Sequence, residues 1–137
     1  MKKTSKQVQT DIIDLLRNSE LAAEVTGEIY RKGYRPRDSR KEDIIVIFTT
    51  GLPDEIQTGV VTVNIYLPDI DPYSDGVQVE DGERAEALEA LAQRWVDSLS
   101  GSGTNYLFEL QQTIYTEAEP EINQHFVVVK LRYRLYE

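Results

Sequence analysis

Asp69, Asp71 and Asp75 stand just ahead of Gly76 in the stretch PDIDPYSDGVQVEDG, and carboxylates spaced this way before a glycine are the material of a calcium-binding loop. The spacing does not complete one. With Gly76 at the sixth position of an EF-hand loop, Asp71 and Asp75 take the first and fifth. Tyr73 then occupies the third and Gly82 the twelfth, where a bidentate Glu is needed. A solvated acidic loop over residues 68–82 is therefore the expectation. His125 is the one histidine, so acid–base chemistry would rest on a single imidazole or on carboxylates with raised pKa. No G-x-S-x-G, H-E-x-x-H, phosphate-binding glycine loop or dinucleotide fingerprint accompanies it. With no cysteine, thiol nucleophiles, disulfides and cysteine-held metal sites are excluded. The residues predict no catalytic group, no metal and no cofactor.

The cations suit recognition better than reaction. Arg31, Lys32, Arg35, Arg37, Arg40 and Lys41 put six long positive side chains into eleven residues, and Gly33 and Pro36 among them predict a loop over residues 31–43. Asp38 is the carboxylate that the local sequence supplies to pair with them, so all six are expected to stay solvent-accessible and free to meet an acidic neighbour. Lys130, Arg132 and Arg134 alternate with Leu131, Tyr133 and Leu135, which places these three cations on the outer side of a terminal strand. Eight tyrosines add amphipathic area of the kind enriched in interfaces, with Tyr66, Tyr73, Tyr115 and Tyr136 expected on polar faces or in loops. The nine cations are the candidate contact residues for a partner or a second copy.

Hydrophobic spacing shows which elements hold these groups. Val8, Ile12, Leu15 and Leu16 predict a helix that starts at a Thr4–Gln7 capping box. Ser19 caps a short second turn, which Gly27 would end in a left-handed conformation. The run IIVIFTT at residues 44–50 is β-branched and apolar on both faces, and predicts a central strand covered on two sides. Residues 59–67 alternate as a half-buried strand, and residues 29–34 offer one further short strand. Ala85, Leu88, Leu91, Ala92, Trp95, Val96 and Leu99 share one face of a helix over residues 83–99, with Trp95 read as core. One long strand over residues 106–116 and a last one over 122–136 complete the chain. Short turns between strands imply antiparallel pairing. The fold expected is α+β, a single domain over residues 1–137, with an antiparallel sheet of about four to five strands and two amphipathic helices on one face.

Composition narrows the function classes. The chain has 137 residues, 40% hydrophobic and 28% charged, as in ordinary globular proteins, so neither a disordered tail nor a fibre is expected. Its net charge of −9 is uneven: residues 1–67 are neutral, 68–121 carry −11 and 122–137 carry +2. Such an acidic middle repels phosphate and disfavours ordinary duplex binding, sequence-specific binding included. No apolar run approaches the ~20 residues needed to cross a bilayer, and residues 1–20 carry no apolar signal core, so a soluble protein made in the cytoplasm is expected.

The segments SELAAEVTGEIY, DIIVIFTT, GVVTVNIYL, RWVDSL and VVVKLRYRLY, in this order and around a charged loop, resemble small tail-completion or tail-terminator proteins of long-tailed phages and prophages. The resemblance implies a structural virion protein without catalytic or cofactor residues, made in the bacterial host. Such proteins assemble as rings, commonly hexameric, that cap the tail tube, stop its growth and join it to the head. The partners implied are further copies of itself, the tail-tube protein and a head-completion protein. Two other readings stand beside it: an acidic mimic of DNA that inhibits a DNA-binding protein, and a small α+β adaptor domain or enzyme of unrecognised chemistry.

Overall fold

A computed structural model describes residues 2–136. Helix α1 (Ser5–Arg17) begins at the expected capping box: the Thr4 hydroxyl accepts from the Gln7 amide, and Gln7 Oε1 accepts from the Thr4 amide at 2.9 Å. Val8, Ile12 and Leu16 form its fully buried stripe. Ser19 Oγ accepts from the Ala22 amide at 3.0 Å and starts α2 (Glu20–Glu24). That short helix ends through Val25 in an extended conformation, and Gly27 is not left-handed as expected. Gly27 is required for another reason, since a Cβ there would lie 2.0 Å from Asp43 Oδ1.

Strands β1 (Ile29–Arg31), β2 (Ile44–Leu52) and β3 (Gln57–Pro68) precede helix α3 (Gly82–Ser98), and β4 (Tyr106–Leu110), β5 (Tyr115–Glu119) and β6 (Gln124–Leu135) follow it. The sheet has six strands in the order β1-β2-β3-β6, with β4 and β5 both paired to the far edge of β6. It is mixed where an antiparallel sheet was expected, because β1 runs parallel to β2. A parallel pair needs a crossover of about a dozen residues or more, and the basic segment between Arg31 and Ile44 supplies it.

A second departure concerns the strand expected over residues 106–116. It divides: from Leu110 to Tyr115 this chain advances five residues while its partner retreats only three, from Leu131 to Val128. The surplus bulges out at Gln111–Thr113, and Ile114 turns into the core at 8% exposure. Residues 68–81 are also more ordered than a plain connection. Ile70 and Val79 exchange two backbone hydrogen bonds of 2.9 and 2.8 Å, and so close a hairpin.

One core fills the space between the three helices and a single face of the sheet, where Ile44, Val46, Val61, Val63, Ile65, Val127, Val129, Leu131 and Tyr133 meet the helical stripes. Trp95 belongs to this core, and its indole N–H donates to the Leu15 carbonyl at 3.2 Å. Among the described residues no α-helix packs on the opposite sheet face. Ile45 is nevertheless only 6% exposed, because the crossover segment lies over Ile45 and Ile47, which explains why β2 is apolar on both faces.

Candidate functional site

The crossover segment does not leave its six cations free, as the sequence suggests. Arg35 is largely covered: its Nε donates to Asp43 at 2.8 Å, and its Nη2 donates to Gln124 Oε1 at 2.8 Å and to the Ser39 and Lys41 carbonyls. Its guanidinium also stacks 4.1 Å above the Tyr66 ring. Burial alone would raise the Asp43 pKa, but donors from Ser39, Arg35 and the Glu28 amide outweigh it and hold this carboxyl below its ordinary value. Arg31 turns toward α1, with hydrogen bonds to the Lys6 carbonyl, Gln9 and Thr10. Arg40 reaches the Ile122 and Asn123 carbonyls. Lys32, Arg37 and Lys41 remain exposed, without a side-chain partner among the described residues.

The pairing partner overlooked in the sequence is Glu42–Asp43, at the very end of the basic run. Asp43 holds the crossover, while Glu42 takes Arg84 of α3 in a fork with contacts of 2.7 and 2.8 Å. The Glu42 carboxylate also accepts from the Thr26 amide. Two adjacent carboxylates on opposite sides of the backbone thus tie the sheet to the crossover on one face and to the helices on the other. Their signal was an acidic pair immediately before a buried strand, a place where unpaired charge would be costly.

The second predicted cation group keeps its expected place. Lys130, Arg132 and Arg134 alternate along β6 on the open face, with Leu131, Tyr133 and Leu135 buried behind them. Arg132 shares its charge with Glu109 of β4 at 3.3 Å, and Leu107 beside them is 53% exposed. Leu107, Glu109, Arg132 and Arg134 line a shallow groove of about 170 Å³. The other end of the same face carries Tyr66, Phe126, Glu117 and Glu119. There Tyr66 is pushed up to about 12 by burial and by the Glu119 carboxylate, against the opposing pull of Arg35.

The acidic hairpin projects beyond that end of the sheet. It exposes Tyr73 at 85% and Val77 at 59%, and carries five carboxylates without a cation over residues 68–82. Asp71 spends both oxygens on its own turn, accepting from the Asp75 and Gly76 amides, and Asp69 engages His125 Nδ1 at 2.6 Å. Among the described residues no group of three or more acidic or histidine side chains is arranged to hold a metal ion. The remaining carboxylates do not gather on one surface: Glu83, Glu86, Glu89 and Asp97 lie on α3, Glu109, Glu117 and Glu119 lie on strands β4 and β5 of the open sheet face, and Glu121 lies in the turn before β6. No protein-family model matches this chain, and no curated protein matches it either.

Proposed function

We propose that this protein is a non-enzymatic structural subunit of a phage or prophage virion. In this reading it is a ring-forming tail terminator that caps the tail tube and joins it to the head. The observation that carries the reading is the separation of two complementary surfaces. The acidic, partly apolar hairpin leaves β3 at Pro68, opposite Gln124 of β6, whereas Arg132 and Arg134 lie ten residues or so along that strand, ~30 Å away at 3.3 Å per residue. Surfaces so far apart cannot satisfy each other within one chain. Between copies they make a head-to-tail contact, and such contacts close into rings when the rotation permits. The resemblance in element order supplies the tail-terminator identity, the six-fold ring and the tail-tube and head-completion partners.

Light scattering over a concentration series, alone and with the tail-tube protein, tests this. Rings are the expected outcome, formed by the free protein or on the tube. A monomer at every concentration that the tube leaves unassembled overturns the reading. The DNA-mimic alternative draws less support, because a decoy needs its carboxylates spaced over one long face and here they divide between α3 and the open sheet face.

A further inference from the structure

We propose that the hairpin between β3 and α3 docks on the cationic end of the open sheet face of a second copy of this chain, with Tyr73 seated in the groove of Leu107, Glu109, Arg132 and Arg134. The inference rests on the ring reading and names the contact between neighbours. The groove joins an exposed leucine to two guanidiniums, of which Arg132 is paired with Glu109, with Lys130 adjacent on the same strand face. It therefore offers apolar area and surplus positive charge together. The hairpin offers the reverse: the Tyr73 ring standing in solvent, an exposed Val77 on the same hairpin, and two exposed carboxylates, Asp75 near the tip and Glu80 at the base, 3.9 Å from His125 Nε2. A phenol ring between arginines gains both stacking and cation–π attraction, and the flanking carboxylates meet the same guanidiniums. The two closing hydrogen bonds of Ile70 and Val79 hold the hairpin in shape before it docks, which lowers the ordering cost of binding.

A second copy is the occupant because one chain carries both halves. Nucleic acid would satisfy the arginines but, extending along the face, would run onto Glu117 and Glu119 at its other end, whereas a hairpin tip covers the cationic end alone. Contact between a hairpin and a sheet face is heterologous, so an open chain of copies keeps a free hairpin at one end and a free groove at the other until a ring closes.

The absence of cysteine from the chain gives a clean test. Tyr73→Cys and Leu107→Cys are prepared as separate full-length variants, both at exposed positions, and checked by thermal melting. They are mixed at low salt and oxidised by dissolved oxygen with a copper catalyst. The expected result is a several-fold excess of disulfide-linked dimer between the two variants over the self-linked dimer of either. That excess is lost when Arg132→Glu and Arg134→Glu are added to the Leu107→Cys chain, and restored when Asp75→Lys and Glu80→Lys are added to the Tyr73→Cys chain. Mixed dimer no more abundant than self-linked dimer overturns the contact. Light scattering on the unaltered protein, with and without the tail tube, separates the two ideas. Rings without this cross-link overturn the contact and leave the ring reading standing, whereas the cross-link with only open chains supports the contact and overturns the ring.

Discussion

Arg35 and Asp43 show how a single pair decides the character of a whole segment. Asp43 is 1% exposed and Arg35 12%, so removal of Arg35 strands the Asp43 carboxylate in a place that water hardly reaches. Arg35→Ala is expected to cost about 3–5 kcal/mol in chemical denaturation, whereas Arg37→Ala, at an exposed position, should stay within about 0.5 kcal/mol. The pH dependence follows from the same group. Asp43 has a folded-state pKa below its unfolded one, so its contribution is fully present above the ordinary carboxylate pKa and is lost as pH falls through the lowered folded value. Asp43→Asn should therefore flatten the acid limb of a stability–pH curve. Tyr66, Tyr106 and Tyr133 act in the opposite range: burial raises all three, so the unfolded chain ionises first and stability should decline as pH climbs above 10. Residue-scale reading of the sequence placed Lys130, Arg132 and Arg134 on the outer side of the last strand, because alternation is a local property. It missed the Arg35 pair, since Asp43 sits eight positions away and meets Arg35 only after the crossover folds back.

The elements themselves were largely legible, and the exceptions share a cause. The N-caps of α1 and α2, the apolar stripe of α3 and the alternation of β3 and β6 are written in spacing that needs no tertiary information. Parallel pairing of β1 with β2 is not, because three residues carry no periodicity and the partner lies beyond a charged loop. The division of β4 from β5 was also hidden, since Ile114 continues the apolar alternation while its backbone leaves the ladder. Gly51 and Gly59 form a cross-strand pair that does have a requirement: a Cβ on Gly59 would lie 2.4 Å from the Thr50 carbonyl oxygen and 2.6 Å from the Tyr133 hydroxyl. Gly59→Ala should thus destabilise by about 1–3 kcal/mol or more, read as a lower denaturation midpoint.

At the scale of the whole molecule, charge is arranged by position more than by amount. The crossover cations without a side-chain partner among the described residues are Lys32, Arg37 and Lys41, so these, and not Arg35, are expected to tolerate reversal without damage to the fold. Their replacement by Glu is expected to leave the melting temperature nearly unchanged while weakening assembly, most visibly at low salt; light scattering that finds undiminished assembly would return them to the role of solvated loop residues. The borders of the sheet carry a different consequence. One is a strand of three residues, and the other is two strands of five residues separated by a bulge, so neither outer margin offers a long unbroken row of amide and carbonyl groups. A long, flat, exposed sheet edge is a template for stacking by backbone recruitment into fibres. Here the ragged margins make that route poor, and the proposed association would rest on side chains, whose pattern can distinguish one neighbour from any other exposed strand.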